Sequence, residues 1–340
     1  MSASLRFAPN GARAAELDRV VRERLATSLR PILDGFVSQG AAGAAAAEQL
    51  LQTIAAGPVR PAVFGLYSAL VDAIFADDAA QAERRLHALL QLEPAPALPG
   101  DGPRMVTLDE ALIGPGQVDL YARLANDETT DPAPIERVGS SGLRSAGALG
   151  QATLSLLEDC APALAEELRN LVHEIVFVRS EPDGARPAFQ GASTFYLWGA
   201  MFLNAARHAN RVDMAKGMAH EGAHSLLFGF TLGAPLVEND PEERFASPLR
   251  DDPRPMDGVV HATFVLARME YCMQQLIRSR RLSDEERSLA LDQSRHNQAS
   301  FRDGAEVVAK HARFTAVGAA LMEGASAYMD ELMRSPAEAC

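Results

Sequence analysis

The chain has 340 residues, of which 47% are hydrophobic and 23% are charged, a composition typical of a globular protein with a substantial core. A formal net charge of −13, without any cluster of Lys and Arg, argues against a nucleic-acid partner. Residues 1–10 lack the basic and then apolar pattern of a secretory signal. No apolar run reaches the about 18 residues that a membrane span requires, so we expect no membrane association. Three scattered cysteines form neither a disulfide framework nor a CxxC metal motif, and we expect a cytoplasmic protein.

The first part of the chain has the pattern of a helical region. Ala, Leu, Arg and Glu recur at helical spacing, and the predicted helices cover residues 12–37, 43–55, 60–75 and 78–92. A Pro- and Gly-rich connector follows at 93–103, which is typical of a linker or a long loop. We therefore predict an N-terminal helical region at 1–95 and a second domain at 104–335.

Beyond the connector the sequence predicts a small sheet and further helices. Compact apolar runs predict strands, and Gly199 suggests a bend or bulge within the last of them. The predicted strands cover 104–108, 173–179 and one or two segments of 193–203, and the predicted helices cover 146–171, 210–228, 258–278, 283–309 and 314–332. The predicted fold class is α+β, mostly α-helical, with a small sheet just ahead of the helix at 210–228.

That helix contains the pentapeptide His220-Glu221-Gly222-Ala223-His224, an HExxH motif. Residues i and i+4 lie on one face of a helix, so the two imidazoles can bind a single divalent metal ion. A chance match in a chain of this composition is expected on the order of once in a hundred. The apolar flanks argue against a solvated helix face. The motif predicts a metal site, with Glu221 beside it as a base or as a group that orients a ligand.

Two histidines alone hold a metal poorly, so we expect a third protein ligand. Glu243 lies nineteen residues after His224, the spacing of gluzincin aminopeptidases, but Glu242 and Glu243 belong to a charged, Pro-containing loop. The metzincin pattern requires histidine at position 230, which is Phe230. His261 is the best candidate, because it stands just inside a new helix among apolar neighbours. The other histidines have no comparable context.

The order of strand and metal helix resembles zincin-type sites, in which a strand edge beside the HExxH helix pairs with a peptide. Tyr196 and Trp198 would then face a bound chain. The alternative interpretation places both aromatic side chains in the core of the sheet.

Residues 220–230 (HEGAHSLLFGF) and 247–269 (SPLRDDPRPMDGVVHATFVLARM) resemble the HExxH-motif proteins found with ribosomally made peptide natural products. That family consists of iron(II)- and 2-oxoglutarate-dependent peptide β-hydroxylases. The resemblance is specific over residues 194–271 and only general in the N-terminal helices. It implies a peptide hydroxylase of RiPP biosynthesis whose substrate is a precursor peptide.

The resemblance also implies a set of ligands. Fe(II) would be held by His220, His224 and His261, and the three remaining octahedral positions would take the chelating keto acid and O2. The distal carboxylate of 2-oxoglutarate needs a cation, and arginine provides bidentate hydrogen bonds. The candidates for that role are Arg250, Arg254 and Arg268. Glu221 would then orient a ligand or the substrate.

Two other interpretations stay open. A zinc metallopeptidase would use Glu221 as the general base that deprotonates a zinc-bound water. A peptide-binding scaffold would hold a structural metal, but such zinc sites usually have four protein ligands, often cysteine. None of the three cysteines lies near the motif in the sequence.

Overall fold

A computed structural model of the protein describes residues 7–37, 43–92, 102–126, 134–182, 189–250 and 252–334. Most of the described residues are helical, and the strands form one small mixed sheet. The predicted α+β, mostly α-helical class is therefore confirmed. No helix among these residues combines the length and the apolar character needed to cross a lipid bilayer.

The predicted helices are present, with small shifts at their ends. Their bounds are α1 Gly11–Val37, α2 Ala44–Ala56, α3 Pro61–Phe75, α4 Ala79–Gln91, α5 Glu110–Ile113, α6 Val118–Leu124, α7 Ser140–Cys160, α8 Pro162–Leu171, α9 Arg211–Thr231, α10 Met256–Arg278, α11 Asp284–His311 and α12 Ala316–Arg334. The prediction of a single helix at 146–171 is wrong, because the helical segment is interrupted between α7 and α8. Proline at position 162 disfavours helical geometry at the preceding residue and starts the new helix at its first position.

The sheet consists of β1 Arg104–Thr107, β2 Glu136–Arg137, β3 Glu174–Arg179, β4 Gly191–Ala192 and β5 Ala200–Asn204. The central strand β3 pairs in parallel with β1 and with β5. The two-residue strands β2 and β4 pair antiparallel with β3 and β5 respectively. Strand β5 therefore has a paired strand at both of its edges at Phe202 and Leu203, and β4 is the last strand in the order β1-β3-β5-β4.

The chain divides into two compact units. The sheet unit comprises Ala14–Ala148 and Arg169–Ala209, and the helical unit comprises Met1–Arg13, Leu149–Leu168 and Asn210–Cys340. This division differs from the predicted boundary at the connector, because the N-terminal helices and the strands belong to the same unit. Most of the connector itself, 93–101, lies outside the described residues.

In the sheet unit, Gly199 occupies a position where a side chain would be unfavourable. Gly199 has φ +90°, a conformation that side chains with a Cβ rarely adopt. A Cβ atom there would stand 2.5 Å from Nδ1 of the buried His173. The predicted bend at Gly199 is confirmed, and it lies immediately before β5.

In the helical unit, a buried carboxyl group lies between α10 and α11. Oε1 of Glu270 accepts hydrogen bonds of 2.8 Å from Gln274, Ser294 and Gln298, and the residue is fully buried. Its Oε2 has no hydrogen-bond partner among the described residues. Burial raises the pKa of Glu270 above its ordinary value of 4.5, and the donated hydrogen bonds oppose that shift.

We predict that Gly199→Ala destabilises the protein by about 2 kcal/mol or more, since it combines backbone strain with a steric clash. Gly102→Ala is the control, because Gly102 also has a positive φ, +95°, but nothing lies within 4 Å of its added Cβ. Urea unfolding of both variants measures the difference. Equal losses would show that the His173 contact contributes nothing.

Because the pKa of Glu270 is raised, we predict that the free energy of unfolding decreases as the pH rises. Because its folded-state pKa lies above the unfolded one, its contribution is complete below about pH 4.5 and is lost as the pH rises through the folded-state value. Glu270→Gln removes the charge, so the variant should become increasingly stable relative to wild type as the pH rises from 5 to 8. Denaturant unfolding across this range, with the exposed Glu323→Gln as control, measures the effect. A pH-independent difference would contradict it.

Candidate metal centre

Helix α9 carries the HExxH motif in a largely buried setting. It starts where the Asn210 side chain accepts hydrogen bonds from the backbone N–H groups of Val212 and Asp213. It ends at Leu232, which has the left-handed φ of 49°. Most of its residues are buried, but a stripe at four-residue intervals stays partly exposed: Lys216, His220, His224 and Phe228. The two motif histidines therefore lie on the one accessible face of a core helix.

Helix α10 packs against α9 and adds a third histidine. The ring centroids of His220 and His224 are 5.0 Å apart, and those of His224 and His261 are 5.8 Å apart. The side chains of His220 and His261 are 30% and 16% exposed. The structure thus brings all three predicted metal ligands into one partly open cluster.

These distances can be compared with those of a metal-bound pair of imidazoles. A metal–nitrogen bond of about 2.1 Å places each ring centroid about 3.2 Å from the ion, so paired centroids lie about 4.5–5.2 Å apart. The pair on α9 fits this range, and His261 would have to approach His224 by roughly half an ångström. In the part of the chain that the structure describes, no three His, Cys, Asp or Glu side chains are placed so that they could hold a metal ion as they stand. Three imidazoles are donors that a divalent ion accepts, and His261 would have to move closer to His224 to share an ion with it.

The electrostatic surroundings of His224 suit a ligand that must be neutral. Burial lowers the pKa of His224 well below its usual value, and His220, His261 and Arg250 add to this effect as nearby positive charges. A neutral imidazole offers its lone pair to a metal without first losing a proton. Arg250, whose positive charge contributes to this shift, is exposed.

Glu221 is buried beside the cluster. Its Oε1 lies 3.9 Å from Nε2 of His220, although the two residues are neighbours in the sequence. This contact suits a carboxylate that orients a histidine, and it also leaves the group near any molecule bound to the metal.

Glu243, the alternative candidate for the third metal ligand, interacts with residues of its own loop and with Arg313. Glu243 accepts a hydrogen bond of 3.2 Å from Asn239 and lies 3.6 Å from Arg313, while Glu242 is largely exposed. The predicted charged loop is confirmed. Phe230, which excludes the metzincin pattern, lies under the guanidinium group of Arg13 at 5.3 Å.

The prediction that Arg268 binds the distal carboxylate of 2-oxoglutarate is wrong. Its side chain is 1% exposed and forms a buried ion pair with Glu167. Its Nη1 also donates a hydrogen bond of 2.7 Å to the carbonyl oxygen of Phe7. A buried guanidinium requires such a partner, so the carboxylate that Arg268 binds belongs to the protein.

The other two arginine candidates differ from each other. Nε of Arg254 lies 2.9 Å from the carboxylate of Asp252, and its backbone pairs with Phe245 in an isolated bridge. Arg254 therefore holds its loop in place. Arg250 is exposed and its charge contributes to the lowered pKa of His224, which makes it the better-supported anion-binding candidate.

The prediction that Trp198 faces a bound peptide is also wrong. Its ring is 1% exposed, and Nε1 donates a hydrogen bond of 2.9 Å to the buried Asp18. Trp198 is a core residue of the sheet unit. Tyr196 is 47% exposed and stays a candidate contact residue of that unit.

Two residues near the histidines were not predicted. The ring of Phe228 lies 6.3 Å from that of His224 and 6.1 Å from that of His261. Asp257 has Oδ2 at 3.5 Å from Nε2 of His261. Spacing could have indicated both, because Phe228 follows His224 by four residues and Asp257 precedes His261 by four.

Comparison with known proteins adds no assignment. No protein-family model matches the chain, and no curated protein matches it.

We predict that the stability of the helical unit depends on the carboxylate of Glu167, which pairs with Arg13 and Arg268. Glu167→Gln leaves Arg13 and Arg268 buried without a countercharge, which should cost about 3 kcal/mol or more. Urea unfolding measures this cost. Glu166→Gln, in the exposed neighbouring position, should cost less than about 1 kcal/mol. Similar values for the two variants would show that the buried pair does not stabilise the fold.

Proposed function

We propose that this protein is an iron(II)- and 2-oxoglutarate-dependent hydroxylase that acts on a β-carbon of a residue in a ribosomally made precursor peptide. The observation that carries the proposal is the convergence of His220, His224 and His261 in one accessible cluster. Three protein donors leave the open coordination positions that such an enzyme needs. A cytoplasmic location belongs to the same proposal and is supported by the free thiols of Cys160 and Cys272.

Each residue of the cluster has a role in this proposal. His220, His224 and His261 would hold Fe(II), which together with the keto acid and O2 supplies the oxidising power to hydroxylate a C–H bond. In the overall reaction one oxygen atom of O2 enters the peptide and the other enters succinate, and CO2 leaves. The protein itself binds the reactants, orients them and limits the access of water.

Charge complementarity supports the binding of a dicarboxylate. Three neutral imidazoles leave the positive charge of the ion uncompensated, which favours an anionic chelator. Arg250 adds a cation close to His224 and would bind the distal carboxylate. Arg268 cannot serve, because Glu167 occupies its guanidinium group.

Glu221 has no water to activate in a hydroxylase. Its position beside His220 suits a group that orients this ligand. In the competing zinc peptidase the same carboxylate would act as general base. In the peptidase, replacing Glu221 by an amide removes the base and abolishes cleavage, whereas in the hydroxylase it changes only the contact that orients His220.

The test uses the full chain with Fe(II) and 2-oxoglutarate under anaerobic conditions. We expect a weak visible charge-transfer band from the chelated keto acid, and succinate formation once O2 is admitted. His261→Ala should lower the iron content and abolish both signals, whereas the exposed His296→Ala should leave them unchanged.

Arg250→Ala provides a second measurement. It should raise the 2-oxoglutarate concentration needed for half of the band intensity by about tenfold or more, since a charge-assisted bidentate contact is lost. Purified protein that contains zinc and cleaves peptides without O2, with the cleavage abolished by Glu221→Gln, would replace the hydroxylase by a peptidase. Unchanged metal content in His261→Ala would reject the three-histidine site.

A further inference from the structure

Asp257 stands one helical turn before His261 on α10. Its Oδ2 lies 3.5 Å from Nε2 of His261, and its Oδ1 accepts a hydrogen bond of 3.2 Å from the backbone N–H of Leu236. Leu236 is buried and belongs to the loop that connects α9 with α10. The two carboxylate oxygens therefore face different partners, one in the loop and one on the helix.

The backbone contact fixes the carboxylate against a rigid part of the helical unit. The carbonyl oxygen of Leu236 accepts a hydrogen bond of 3.0 Å from the backbone N–H of Thr315, at the start of α12. Asp257 is thus held by a loop that is itself held by another helix. With Oδ1 held by Leu236, Oδ2 lies 3.5 Å from Nε2 of His261.

The ring of His261 also has two aromatic neighbours. The rings of His224 and Phe228 lie 5.8 Å and 6.1 Å away, and both belong to α9. His261 can therefore meet a carboxylate at one nitrogen while its other nitrogen serves a different partner. A neutral imidazole has one N–H donor and one lone pair, and the hydrogen bond at one nitrogen decides which role the other takes.

We propose that Asp257 is a positioning residue that holds His261 in the tautomer with the proton on Nε2, so that Nδ1 carries the lone pair for the metal. A carboxylate behind a metal-binding histidine fixes the tautomer and orientation of the ring and increases its basicity. The identity of the ion at Nδ1 rests on the proposed function, but the tautomer does not.

The two oxygens of Asp257 make a discriminating variant possible. In Asp257→Asn, Oδ1 still accepts from the N–H of Leu236, while the NH2 group replaces Oδ2 and faces Nε2 of His261 as a donor. The hydrogen bond to Leu236 is kept, and the 3.5 Å contact with His261 changes from an acceptor to a donor. A role in holding the loop alone predicts no effect of this variant, whereas the positioning role predicts a change of tautomer.

The first measurement is the ¹⁵N–¹H correlation spectrum of the histidine rings in the metal-free full chain at about pH 8, where an unperturbed imidazole is neutral. We expect wild-type His261 to carry its proton on Nε2 and Asp257→Asn to carry it on Nδ1. The control is Asp284→Asn, since Asp284 lies in the first turn of α11 and is exposed. Its spectrum should match that of wild type.

The second measurement is a titration with Co(II) as the probe ion. Asp257→Asn should weaken Co(II) binding about 10- to 100-fold, and Asp284→Asn should leave it unchanged. A wild-type proton on Nδ1 of His261, or an unchanged tautomer in Asp257→Asn, overturns the inference. If the tautomers are as expected but wild type binds no Co(II), the metal site fails and the assignment of Asp257 stands.

Discussion

The helical unit depends on the buried carboxylate of Glu167. It accepts from two arginines that are distant in sequence, Arg13 at 2.8 Å and Arg268 on α10, and from the backbone N–H of Asn10 at 3.0 Å. The desolvation of three charged groups is costly, and only mutual pairing offsets it. Because Arg268 lies seven residues after His261, this ion pair also fixes the position of the helix that supplies the third histidine.

The candidate metal centre combines a rigid frame with a partly open face. Helix α9 is buried on most sides, so His220 and His224 cannot move far with their backbone. The lowered pKa of His224 favours a neutral imidazole at that position, and the contact with Asp257 restrains the ring of His261. Metal ligands are best held by such rigid elements and by a second set of contacts behind them. The packing of α9 against α10 positions the three side chains, and the imidazole groups determine which ions they could bind.

Local patterns predicted the long helices and the strands β1, β3 and β5, because each depends on the residues next to it. The HExxH motif belongs to the same category, since a four-residue spacing on a helix places two side chains on one face. Residues 195–197, inside the segment predicted as one or two strands, form a 3-10 helix instead. The break between α7 and α8 was missed, although proline at position 162 was the local signal for it. The two-residue strands β2 and β4 contain too few residues to give a pattern and exist only through pairing with β3 and β5.

The sequence by itself determined the α+β class and the helix that carries His220 and His224, and it indicated His261 as the best candidate for a third donor. Only the tertiary structure decided which arginine is available. Arg268 and Arg250 look alike in the sequence, but one is buried against Glu167 and the other is exposed near His224. In the same way, a hydrogen bond to Asp18 shows that Trp198 belongs to the core. The physical reason is that spacing fixes neighbours within one helix, whereas burial and ion pairing depend on residues far away in the chain.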